Sequence, residues 1–120
     1  MSLDVQLIRK VYLSYDEGKT YIEKEEELYW SNITHNLNKM AAKADIYQAL
    51  WRPEEINSTK AKNIMKLLEK GLKNLKSRPE YFEQFNSSNG WGLYENFVPF
   101  VENYLKACKE FPNADIYVCR

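Results

Sequence analysis

The chain has 120 residues, with 17 basic and 17 acidic side chains and a formal net charge of zero, so no global field draws it to nucleic acid or to a membrane. No apolar run approaches the roughly 20 residues that a bilayer span needs. An apolar fraction of 44% with only four Gly and four Pro excludes wholesale disorder, and this length suits one domain with a real core.

Taken in chain order, residues 4–15 place Val5, Leu7, Val11, Leu13 and Tyr15 on alternate positions, which predicts a half-buried strand. "DEGK" at 16–19 is a turn in which Gly18 can take positive φ. Residues 20–30 resume β-leaning residues and complete a hairpin. The acidic run Glu23–Glu27 can stay in the strand, bulge out or turn helical.

Ser31, Asn32 and Thr34 are candidate helix caps. After them Ile33, Leu37, Met40, Ala44, Tyr47 and Trp51 recur at spacings of three and four, within about 80° on a helical wheel. Asp45 and Ile46 fall off this stripe, so a break near 45 is expected, and Arg52-Pro53 ends the helix. A second helix opens at Ser58 or Thr59 and runs to about Ser77, burying Ala61, Ile64, Met65, Leu68, Leu72 and Leu75. "SRPEYFEQF" is a connector in which Pro79 starts a short turn.

"NSSNGWG" at 86–92 is read as the entry to a third helix, whose face is Leu93, Phe97, Phe100, Val101, Tyr104, Cys108 and Phe111. Pro99 lies on its opposite side, so one bent helix is expected. In this reading Gly90 and Gly92 let the chain turn and bring the Trp91 ring inward, as a plug over the core. "ADIYVC" at 114–119 is a short strand added to the hairpin. The order β-β-α-α-α-β describes an α+β domain, three helices covering one face of a small antiparallel sheet.

Three stretches, "NITHNLNKMAAKADIYQALWRPEE" (32–55), "NGWGLYENFVPFVENYLKAC" (89–108) and "NADIYVCR" (113–120), resemble a group of small uncharacterised bacterial and phage-encoded proteins. The resemblance covers the chain from Asn32 onward. It implies a bacterial or prophage origin and a single intracellular domain, and it transfers no catalytic residue.

His35 is the single histidine and lies opposite the Ile33–Leu37–Met40 stripe on the wheel. It is a general base working with Asn36, Asn89 or Glu95, an anion-binding group at a helix N-terminus, or a polar residue bonding the loop or sheet edge. Trp51, Arg52, Trp91, Tyr94 and Glu95 can line a shallow binding surface. Lys62, Lys66, Lys70 and Lys73 lie on the polar side of the second helix and can contact phosphates. A solvated face is the plainer reading, because that helix lacks arginine.

No metal site is expected from one histidine without cysteine partners, and no cofactor motif is present. Cys108 and Cys119 form no disulfide framework, which suits free thiols in a cytoplasmic setting. Three Asn-x-Ser/Thr sequences, at Asn32, Asn57 and Asn86, are then coincidental. The leading reading is a non-enzymatic interaction protein that holds a protein partner or its own copy through an aromatic patch. A His35-based enzyme and a lysine-stripe nucleic-acid binder are the alternatives.

Overall fold

In a computed structural model describing Met1–Arg120, strands stand at both ends of the chain and helical segments between them. The strands β1 (Ser2–Leu13), β2 (Ile22–Thr34) and β3 (Asp115–Cys119) form one antiparallel sheet in the order β2-β1-β3. The helices are α1 (Asn38–Lys43), α2 (Tyr47–Trp51), α3 (Ala61–Ser77), α4 (Pro79–Glu83) and α5 (Tyr94–Glu110), with 3-10 turns at His35–Leu37 and Pro53–Ile56. The α+β class and the strands at both ends are as the sequence indicates, but there are five helices where three were expected. No helix is long and apolar enough to cross a membrane.

Alternation explains the sheet's inner face. Leu3, Val5 and Leu7 point into the core and have no solvent exposure, and Ile33 and Tyr29 face them from β2. The outer face is bare, and there the exposed rings of Trp30 and Tyr117 flank Gln6. Leu7 pairs with Tyr29 but Ile8 pairs with Glu27, so Leu28 is an extra, bulged residue. The bulge lets the neighbours Leu28 and Tyr29 both pack against the core. Beyond it the acidic run stays in the strand, and Arg9 pairs with Glu26 at 2.8 Å.

Past the bulge the hairpin leaves the body as an arm, which accounts for a shape 59 Å long and only 27 by 23 Å across. At its tip Glu17 and Gly18 both take positive φ, the signature of a hairpin turn whose twist matches the strands. The Asp16 carboxylate accepts hydrogen bonds from the Thr20 N–H at 2.8 Å, the Thr20 hydroxyl at 2.6 Å and the Ser14 hydroxyl at 2.9 Å. These donors, the Thr20 hydroxyl foremost, hold Asp16 below its ordinary pKa of 3.8.

The expected helix from Ile33 to Trp51 is replaced by three shorter pieces. Ser31 and Asn32 are strand residues, and Thr34 alone caps, its hydroxyl accepting from the Asn36 N–H at 3.3 Å. The break falls at Asp45, whose φ is +61°. It re-aims Ile46, off the helical stripe, into full burial against α3. There Gly71 makes room: a Cβ on it would stand 2.3 Å from Ile46 Cγ2.

Helix α3 begins at Ala61, later than Ser58 or Thr59, because its free N–H groups find partners from the end of the chain. Ala61 N–H donates to the Ala114 carbonyl and Lys62 N–H to that of Pro112, both at 2.9 Å, while Ile116 N–H returns a bond to the Thr59 carbonyl. Helix α5 continues through Pro99, which is exposed; the carbonyl it leaves unpaired is that of exposed Glu95. Its buried face, from Phe97 to Cys108, packs on α3 and on β2, where Tyr29 stacks on Tyr104 at 5.9 Å. Burial raises the Tyr104 hydroxyl well above its ordinary pKa and pushes the Cys108 thiol up to about 12.

Candidate functional site: an asparagine-lined cleft under Trp91

Two chain segments meet at one end of the sheet: the β2–α1 junction and the 86–93 loop that enters α5. Between them lies an open cleft of about 920 Å³, lined by Asn32, His35, Asn36, Asn89, Trp91 and Asn96 among others. The loop is built by its own amides. Asn89 Oδ1 accepts from the Trp91 N–H at 2.9 Å and from the Ser87 hydroxyl at 2.5 Å. Asn86 Oδ1 accepts from the Tyr94 N–H at 2.7 Å, satisfying a free donor where α5 starts. Across the cleft, Asn36 Nδ2 donates to the Trp91 carbonyl at 2.7 Å.

Trp91 is not the core plug that its flanking glycines suggested. The residue is 72% exposed. The buried residue is Gly92, at φ +118°, where a Cβ would lie 2.9 Å from Asn36 Cβ. The glycine therefore serves a close approach of backbone to the β2–α1 junction, and that approach turns the neighbouring tryptophan outward over the cleft.

His35 also departs from its wheel position, because the wheel assumed a helix where β2 and a 3-10 turn run. It is half-buried, with its ring edge toward Trp51 at 6.2 Å, and its Nε2 is buried without a hydrogen-bond partner. No carboxylate lines the cleft.

The other sequence candidates scatter. Trp51 is a core residue, 3% exposed, stacked on Tyr47 at 5.5 Å. Arg52 donates to the Tyr47 hydroxyl at 3.4 Å and pairs with Glu55 at 3.6 Å. The Tyr47 hydroxyl is the main cause of its raised pKa. The Tyr94 hydroxyl is spent on the Leu75 carbonyl at 2.8 Å, and Glu95 is exposed outside the cleft. Lys62, Lys66, Lys70 and Lys73 are exposed and make no ion pairs, but the Pro112 and Ala114 carbonyls already occupy the N–H groups at that helix's start. No group of His, Cys, Asp and Glu residues is placed to hold a metal ion.

Sequence reasoning missed Asn32 and Asn96 as cleft residues. For Asn32 the available signal is the density of asparagine in "NITHN", where the residue is a candidate cap; Asn96, in the first turn of α5, carries no such signal. Comparison of the chain with protein-family models, curated proteins and solved structures finds no match.

Proposed function

We propose that this chain is a non-enzymatic binding protein whose Trp91 cleft takes an uncharged segment of a partner polypeptide. The observation that carries the reading is one exposed tryptophan on a backbone clamped from both sides, by Asn89 at its N–H and by Asn36 at its carbonyl. A tryptophan backbone held in place before binding leaves only the side-chain rotamers to be ordered on association, and tryptophan is enriched among residues that dominate interface energetics. With Asn36 Nδ2 and Asn89 Oδ1 engaged in the clamp, Asn36 Oδ1 and Asn89 Nδ2 remain as an acceptor and a donor that complement a peptide backbone. The two free thiols, one of them exposed, suit a reducing, cytoplasmic setting.

An enzyme built on His35 is less well supported. Its Nε2 is buried and the cleft has no carboxylate to serve as a second proton-transfer group.

Selection of a displayed peptide library on the intact protein tests the reading. Peptides are expected to be enriched on the wild type and lost on Trp91→Ala, with a penalty of at least about 2 kcal/mol. The same variant should melt within about 0.5 kcal/mol of wild type, because an exposed ring contributes little to the core. Peptides that bind Trp91→Ala equally well overturn the proposal.

A further inference from the structure

β1 outruns β3. β3 pairs with β1 only from Asp4 to Ile8, while β2 pairs with it out to Leu13. From Arg9 to Leu13 the other side of β1 has no neighbouring strand, and its outward backbone groups form an open template. A two-stranded ribbon alone is marginal in water, yet this arm exposes Tyr12, Leu13, Tyr15, Tyr21 and Ile22.

The arm's two edges differ in what they accept. Antiparallel self-pairing of β2 along Glu23–Glu27 sets carboxylate against carboxylate about Glu25, which is repulsive. Along β1 the result is different. The two-fold axis of an antiparallel strand pair stands perpendicular to the sheet, so opposed residues come from the same face. Centred on Val11, the pairing sets Val11 on Val11, Lys10 on Tyr12 and Arg9 on Leu13, with no like charges opposed. Centring on Lys10 opposes two ammonium groups, and centring on Tyr12 leaves only three paired residues.

The charges of this edge are already met within its own hairpin, Arg9 by Glu26 at 2.8 Å and Lys10 by Glu23 at 3.7 Å. The length also fits: β1 ends at Leu13, opposite Arg9, so the incoming strand turns away where β3 begins.

We propose that the chain pairs with a second copy of itself through the free β1 edge, Arg9–Leu13, with the two-fold axis at Val11. The two arms become one four-stranded sheet, β2-β1-β1-β2, with the two bodies at opposite ends. Leu13 and Ile22 are opposed on the same face as Val11, so the two copies form one continuous apolar strip. On the other face each Tyr12 ring lies beside the partner's Lys10 ammonium, a cation–π arrangement. Five residues a side make a small interface, so the dimer forms with rising concentration.

Sedimentation from about 1 to about 500 µM should show the mass doubling for wild type. Val11→Glu faces Lys24 within its own arm, which suits the hairpin, but brings two carboxylates together on the axis; it should weaken association at least tenfold. The double variant Val11→Lys/Lys24→Glu reverses both charges and should also stay monomeric alone. An equal mixture of the two should recover the doubled mass.

Val11→Cys in a Cys119→Ser background should cross-link copies on oxidation, since opposed Cα atoms about 4.5–5.5 Å apart suit a disulfide. Glu25→Cys in the same background should not. A monomeric wild type across the range, a Val11→Glu protein that associates as well as wild type, a mixture that stays monomeric, or cross-linking through Glu25→Cys in place of Val11→Cys overturns the proposal.

Discussion

The Asn36 side-chain amide donates to the Trp91 backbone carbonyl at 2.7 Å, joining two segments 55 residues apart in the chain. Directly beside that bond, Gly92 brings its backbone against Asn36. The tryptophan's outward direction depends on both contacts.

Gly92→Ala should therefore be far more damaging than Gly90→Ala. A methyl at Gly92 meets Asn36 Cβ at 2.9 Å and must also adopt φ +118°, whereas one at Gly90, at φ +79°, meets nothing within 4 Å. Losses above about 2 kcal/mol at Gly92 and of about 1 kcal/mol at Gly90 are expected from denaturant melts. Asn36→Ala should cost about 1 kcal/mol and loosen the loop, read as faster amide exchange at Trp91 and at Ser87, whose N–H donates to the Gly92 carbonyl.

Gly71 is a helix-interior glycine that should resist improvement. Replacing such a glycine by alanine usually stabilises by about 0.5–1 kcal/mol. Here the new methyl would drive into Ile46 Cγ2, 2.3 Å away, with the Ala44 carbonyl oxygen behind it at 3.3 Å. Gly71→Ala should destabilise by about 1–3 kcal/mol. The cost should shrink in an Ile46→Ala background, giving a coupling energy above about 0.5 kcal/mol in a double-mutant cycle.

The arm tip should loosen in acid. Asp16 has a folded pKa below 3.8 because Thr20 and Ser14 donate to its carboxylate. Its contribution is fully present above the unfolded value and is lost as pH falls through the folded one. Protection of the Thr20 amide, taken relative to its intrinsic exchange rate at each pH, should fall below about pH 4, and Asp16→Asn should remove that dependence.

The two cysteines should react in sequence. Cys119 is exposed, while burial lifts the Cys108 thiol to about 12 and encloses it in the core. A maleimide at neutral pH should label Cys119 at once and Cys108 only at the rate of unfolding, as mass spectrometry of cleaved protein would show.

What the sequence revealed depended on which physical signal each residue carried. Ile33, Leu37, Met40, Ala44 and Trp51 are all buried, as their spacing indicates, although strand, 3-10 turn and two helices supply them instead of one helix. Apolarity reports burial; it does not report which backbone delivers it when the β2 register carries Ile33 inward anyway. Ile46 was missed as a core residue because the left-handed turn at Asp45 changes its direction; the off-stripe positions locate the break near 45 but not where it sends the chain. Trp91 was misplaced because two glycines and a large apolar ring suggest insertion. Only the tertiary approach of Asn36 reveals that the glycine, and not the ring, goes inside.

The position of β1 has a consequence for how quickly the molecule assembles. β1 is the middle strand, closed on one side by its neighbour across a short turn and on the other by β3 from the far end of the chain. Hairpins form on the order of microseconds, but a contact between distant segments must first meet the entropy of closing a long loop. The hydrogen bonds of Ala61 and Lys62 to the carbonyls of Ala114 and Pro112 make α3 a halfway anchor for that closure. The expected order of folding is therefore hairpin, then helices, then docking of β3. Substitutions at the α3–β3 junction should speed unfolding more than they slow refolding, because contacts made last are largely absent from the transition state.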